Sequence, residues 1–206
     1  MKTQIIKLEN DWVDAKNKCR ITVNKGHTNN VPNSNFKTAL LISEHSPVRL
    51  IKVNWLWEGI KSWVSVHWSR HKWECFISTQ RTDRTGISRD DEPQGAEVNF
   101  EGEANAQNLI DTMRKRLCYQ TSKETRELAE DFKITVNKQE PELANVLVPN
   151  CIYRNGCPEF EQCGFWNKFK ENCSKEELTD IKTRYELYNN EFYSRKRELN
   201  GKTKEK

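Results

Sequence analysis

Residues 48–72 read VRLIKVNWLWEGIKSWVSVHWSRHK, and a change of period inside this stretch decides the fold. From Val48 the chain alternates, with Leu50, Lys52 and Asn54 on one side and Ile51, Val53 and Trp55 on the other, the period of a strand. Glu58-Gly59 reads as the turn that ends it. Beyond that turn Ile60, Trp63, Val64 and His67 follow the i, i+3, i+4, i+7 spacing of an amphipathic helix. Arg70-His71-Lys72 lies at its end. Trp55, Trp57, Trp63 and Trp68, four of the seven tryptophans, fall here and mark the centre of the core.

Outward from this stretch the chain reads mostly as helix. Asp11–Cys19 has helical spacing, with Trp12, Ala15 and Cys19 among its positions, and 27–35 is an Asn/Pro/Ser-rich loop. A helix follows over Phe36–Ser43, and Pro47 discourages helix at the residue before it. Thr82–Asn99 reads as one long loop, of the kind that in compact domains tends to carry function. Helices are expected over Ala104–Tyr119, Ser122–Val136, Pro141–Val148 (stopped by Pro149) and Ser174–Leu199, with a solvated tail at 201–206. There are no internal repeats. The expectation is α+β: a helix-rich single domain with a small central antiparallel sheet of one or two strands, occupying 1–173, followed by a charged C-terminal helix and flexible tail at 174–206.

Composition narrows the function. The 206 residues carry 34 Lys+Arg against 30 Asp+Glu, a net charge of +4, too balanced for a generic nucleic-acid binder but compatible with a local anion site. No stretch approaches the roughly 18 to 20 apolar residues of a membrane span, and Met1–Asp14 lacks the apolar region of a secretory signal. Seven cysteines are an odd number, so reduced thiols in the cytoplasm are expected, with metal binding as the alternative.

Four groups of residues could carry chemistry. Glu44-His45-Ser46 pairs a histidine with a carboxylate, either a base or cofactor contact or a helix end. Arg70-His71-Lys72 concentrates mutually repelling cations that a phosphate would relieve, Arg bidentately and Lys as a point charge; the plain alternative is a solvated helix end complementing the dipole. Ser78–Arg84 offers hydroxyls, an amide and two guanidiniums. If it is extended, Gln80, Thr82 and Arg84 project from one side, a wall suited to a nucleotide; otherwise it is a polar surface loop. Cys151, Cys157, Cys163 and Cys173 have the spacing C-x5-C-x5-C-x9-C, without the paired C-x2-C of common zinc and iron–sulfur sites, and read as reduced thiols before a metal site.

The order Glu44-His45, strand, helix, Trp68-Ser69-Arg70-His71-Lys72 and then Thr79-Gln80-Arg81-Thr82-Asp83-Arg84 resembles the flavin-dependent thymidylate synthases. That family has Glu-His, then Gln-Trp-x-Arg-His-Arg, then a segment closing in Glu-x-Ser-x-Arg; Ala144–Pro149 with Tyr153-Arg154 resembles its later Ala-Arg-x-x-Leu-Pro and Tyr-Thr. His67 stands where the family has Gln, Lys72 and Asn145 stand where it has Arg, Gln80 where it has Glu, and two extra residues separate Lys72 from Thr79–Arg84. The pattern is that of a divergent, phage- or prophage-type branch. The resemblance implies a homotetramer in the cytoplasm, or the host cytoplasm if phage-encoded, with FAD held between subunits and no nucleic-acid or membrane partner. It implies that Glu44, His45, His71 and Lys72 contact flavin. His67, Arg70, Thr79, Gln80, Thr82 and Arg84 would bind dUMP, with Thr82 and Arg84 at the reacting end. NADPH and methylenetetrahydrofolate would be co-substrates for methylation to dTMP. The substitutions leave open another base modification such as hydroxymethylation, or a non-catalytic nucleotide binder on the same scaffold.

Overall fold

The computed structural model describes residues 2–204 of the chain, with side chains through residue 198. The fold is α+β, a helix-rich single domain around one four-stranded antiparallel sheet. Its strands are β1 (Thr3–Glu9), β2 (Lys52–Lys61), β3 (Glu74–Ile77) and β4 (Glu97–Asn105), in the order β1-β2-β4-β3.

The decisive stretch lies at the sheet's centre, with two corrections. Pro47 is the second residue of a 3-10 turn over Ser46–Leu50, so β2 starts only at Lys52. Proline in the first turn gives up no needed N–H, since those N–H groups have no partner within the helix. Glu58-Gly59 is a bulge inside β2 and does not end it: Trp57 pairs with Phe100 and Ile60 with Val98, three residues advancing against two. Gly59 sits at φ +62, where a glycine pays no steric cost. The extra residue resets the alternation, so Val53, Trp55, Trp57 and Ile60 all reach the buried face.

Opposite Trp55, β4 carries Gly102. A Cβ there would lie 2.4 Å from the Trp55 ring, so glycine is what lets the indole lie flat on the sheet. Around it Trp57 (5.5 Å between centroids), Trp73 (5.0 Å) and Phe132 (5.1 Å) pack edge to face.

Helices α3 (Ser62–Ser69), α5 (Ala106–Arg116) and α6 (Lys123–Asn137) cover this face, and α7 (Pro141–Val146) packs against α6. Asn105 ends β4 and caps α5 through the Asn108 amide, so the expected helix from Ala104 begins at Ala106. The loop expected to run to Asn99 likewise gives way to β4 at Glu97. It also contains the short turn α4 (Thr82–Thr85) and a 3-10 turn at Arg89–Asp91. Before the sheet's centre come α1 (Trp12–Ile21) and α2 (Ser34–Ile42). After it come α8 (Asn150–Arg154), α9 (Phe165–Glu171), α10 (Lys175–Thr179) and α11 (Ile181–Lys204).

The single charged helix expected from Ser174 is broken at Asp180, whose carboxylate accepts the Thr183 amide (2.7 Å) and restarts the helix as α11. Tyr185, Tyr188 and Phe192 of α11 are buried in the common core. The side chains of the tail expected at 201–206 lie outside the described residues. Among the described residues no helix is long and apolar enough to cross a membrane.

Candidate functional site

The end of α3 builds one wall of a cleft. Arg70 closes the helix, and the Trp73 indole donates back to the Trp68 carbonyl (2.9 Å), turning the chain sharply into β3. Asn108 of α5 donates to the Lys72 carbonyl and pins this turn to the facing helix. Arg70, His71 and Lys72 thus line a cleft of about 400 Å³. Its other walls are Asn108, Asp111, Arg114 and Lys115 of α5 and Asn150, Tyr153 and Arg154 of α8.

The cleft is strongly cationic. Of its five Arg and Lys side chains only Arg114 is ion-paired among the described residues. Its one carboxylate, Asp111, is already bound to Arg114 (3.1 Å). Arg70, Lys72, Lys115 and Arg154 therefore keep their charge for something else, and an anion is what relieves their mutual repulsion. His71 adds no charge: burial, with Arg116 and Lys115 nearby, pushes its pKa down to about 4.

Arg114 is fixed more firmly than any other cation here. Glu44 accepts a bond from its guanidinium, and Gln107 donates to the other Glu44 oxygen (2.6 Å). The Tyr153 ring lies 3.5 Å from the guanidinium carbon. Burial works against the Arg114 charge, but Glu44 outweighs it and the pKa stays raised. Glu44 achieves this from a left-handed backbone conformation (φ +52), an uncommon one for a non-glycine residue and a place where strain is often tied to function.

The structure brings together Arg70, His71 and Lys72 with Tyr153 and Arg154, and attaches Glu44 through Arg114. His45 is exposed beside Glu44 and does not line the cleft. His67 turns to α6, where its Nδ1 meets the Thr125 hydroxyl (3.0 Å); burial, Arg116 and Arg70 lower its pKa. Thr79, Gln80, Thr82 and Arg84 lie beyond β3, outside the cleft. Thr82 and Arg84 belong to a helical turn, so Gln80, Thr82 and Arg84 do not form the extended wall considered above. Asn145 lines a different cleft of about 440 Å³, between α2, α7 and α11. Asn108, Asp111, Thr112, Arg114, Lys115 and Asn150 are the cleft residues the sequence reading did not select; only the two cations had a signal, the run Arg114-Lys115-Arg116 at the end of a clear helix.

The cysteines regroup as well. Cys151, Cys157 and Cys163 border one small cavity together with Cys118, while Cys173 lies apart and bonds the Phe169 carbonyl. All seven are free, and among the described residues no set of three or more His, Cys, Asp or Glu is arranged to hold a metal ion. Burial pushes the Cys151 thiol up to about 12, an inert and protonated state.

A helix-rich α+β domain with a cationic cleft beside its sheet is thus the class of protein that fold and site define. Among solved structures the fold is similar to that of a UMP/dUMP methylase, PolB from Streptomyces cacaoi, whose crystal structure contains 5-Br dUMP. The TM-score is 0.56, with 12% identity over 70% of this chain and 93% of that one. At that identity the likeness is one of fold. No family model and no curated protein matches the chain in sequence.

Proposed function

We propose that this chain is a nucleotide-modifying enzyme: a flavin-dependent thymidylate synthase-like methylase converting dUMP to dTMP. The observation that carries the reading is the cleft. Four unpaired cations, a neutral histidine and two amides face about 400 Å³ of space on the fold of a UMP/dUMP methylase. Phosphates suit the cations, and Asn108 and Asn150 suit the polar edge of a ring.

The same donor set fits the phosphates of FAD. Bound flavin would supply the reducing equivalents, drawn from NADPH, while methylenetetrahydrofolate supplies the one-carbon unit. The chain's own residues position and polarise: Arg70, Lys115 and Arg154 hold phosphate oxygens, Lys72 adds unpaired positive charge for a developing negative one, and Arg114, its charge already balanced by Glu44 and Asp111, is held in place as part of the wall. A site that works in this way has no need of a protein nucleophile.

In this reading Thr79, Gln80, Thr82 and Arg84 act on the cleft of a neighbouring copy in a homotetramer. What supports this is the edge strand β3 and its surroundings, where Phe76 is 70% exposed and Ile77 and Ile87 are exposed as well. Seven free cysteines support a reducing, cytoplasmic setting.

The test is tritium release from 5-tritiated dUMP with FAD, NADPH and methylenetetrahydrofolate. Release with dTMP as product is the expected result. A hydroxymethylated product would change the reaction but keep the site, and nucleotide binding without release would make the chain a non-catalytic binder. Failure to bind either FAD or dUMP would overturn the reading.

A further inference from the structure

Arg116 takes no part in lining the cleft, yet its side chain is committed to the cleft's histidine. Its Nε lies 2.8 Å from His71 Nε2 and one terminal nitrogen lies 2.6 Å from the His67 carbonyl. The guanidinium carbon stands 6.0 Å from the centre of the Trp68 ring. The imidazole is in turn held edge-on by Trp73 (5.1 Å) and Trp68 (6.2 Å). Each of these partners is anchored in the core or at the end of α3.

A guanidinium only donates hydrogen bonds. His71 Nε2 facing Arg116 Nε–H must therefore carry the lone pair, and the ring proton must reside on Nδ1. Nδ1 has no hydrogen-bond partner among the described residues and is not among the buried polar atoms left without one, so it remains accessible. The charged groups facing His71 from the packed elements are Arg116 and Lys115, both cations, and neither favours a second proton on the ring.

We infer that Arg116 is a positioning residue that fixes His71 as the neutral Nδ1–H tautomer, so that the cleft receives from His71 a directed hydrogen-bond donor and not a positive charge. Its partner is an uncharged or anionic acceptor on the bound ligand: a ring carbonyl, a ring nitrogen or a phosphate oxygen. Charge and direction are thereby divided in the cleft, the cations binding the anion and His71 orienting it. This deepens the proposed function only where a ligand is concerned; the tautomer is a property of the free protein.

The experiment has two arms. In the first, nitrogen-15 NMR of the imidazoles reads tautomer and titration directly. The chain has only 4 histidines, and His71→Asn assigns the signal by deleting it. The expected wild-type result is an Nδ1–H ring that stays neutral through pH 6. In Arg116→Met the titration should move toward that of an ordinary histidine, with Nε2–H becoming populated. An Nε2–H ring in the wild type, or a spectrum unchanged by Arg116→Met, overturns the inference. Should Arg116→Met not fold, the wild-type spectrum still decides.

In the second arm, calorimetry compares His71→Asn with His71→Gln, using FAD and dUMP as probes. The Asn amide nitrogen is the same number of bonds from Cβ as Nδ1, and that of Gln matches Nε2. His71→Asn should bind the oriented probe about tenfold more tightly than His71→Gln, the worth of one hydrogen bond. Equal or reversed affinities contradict the donor role. If neither probe binds the wild type, the functional reading fails while the tautomer measurement stands.

Discussion

Replacing Glu44 by Gln separates two accounts of that residue. The family resemblance implies that Glu44 contacts flavin, whereas the structure has it consumed by Arg114 and Gln107. The pair is well covered, with side-chain exposures of 11% for Arg114 and 20% for Glu44. Removing one partner of a buried ion pair costs about 3–5 kcal/mol, because the other charge is left uncompensated. Here the loss is smaller. Gln keeps an acceptor oxygen, and Arg114 retains Asp111, an exposed and therefore weaker partner. About 2 kcal/mol is the expected destabilisation, or about 4–8 °C in Tm for a domain of this size. A loosened Arg114 should also cost nucleotide affinity, roughly tenfold for about 1.4 kcal/mol. Scanning calorimetry and titration of dUMP and FAD read the two effects. A double-mutant cycle with Arg114→Met adds the decisive number, since residues acting as one unit give strongly non-additive changes. Unaltered stability with flavin binding selectively lost, or additive effects in the cycle, would refute the positioning role and return Glu44 to the ligand.

Other consequences follow from single features. Lys133 is fully buried, its ammonium bonded to the Ala144 carbonyl and Asn189 (2.6 Å each) with no carboxylate partner among the described residues, and burial pushes its pKa down from 10.5 to about 7. Between those values the unfolded chain holds a proton that the native state has lost, so stability should rise with pH from about 7 toward 10, by several kcal/mol at most. Lys133→Met should flatten that rise in urea titrations at several pH values. Gly102→Ala drives a methyl into the Trp55 ring and should cost about 1–3 kcal/mol or more, seen as a lowered Tm or insoluble protein. Arg84→Ala should weaken dUMP binding far more than FAD binding in the assembled protein; equal loss of both would show that the Thr79–Arg84 segment has been assigned to the wrong ligand.

The parts of the fold legible in the sequence are those where one period runs unbroken. The core of β2 and the helices α3, α5 and α6 emerge from the spacing of Val53, Trp55, Val64, Leu109 and Phe132. β1 does not, because a bulge between Ile5 and Lys7 spoils its alternation and its outer face leaves Ile6 exposed. β3 has four residues, too few for a period to register. Gly59 looks like a turn because the φ that suits a turn also suits a bulge. The site divides in the same way. Arg70-His71-Lys72 is continuous in sequence and so stands out. Arg114, Lys115 and Arg116 sit where cations also complement a helix dipole, and only the placing of α5 beside α8 and the turn after α3 brings Arg114 and Lys115 into the cleft and Arg116 onto His71. Cys118 was invisible for a related reason: it joins Cys151, Cys157 and Cys163 across a fold, while Cys173, nearer in sequence to the others, does not.

A cleft built for this chemistry must hold a flavin. The visible absorption spectrum of the purified protein, before and after incubation with FAD and removal of the unbound cofactor, measures this. A retained flavin band that is lost on replacing Arg70 and Arg154 by alanine is the predicted result. A colourless protein that takes up no FAD, or a band unaffected by those replacements, would contradict the assignment of the cleft.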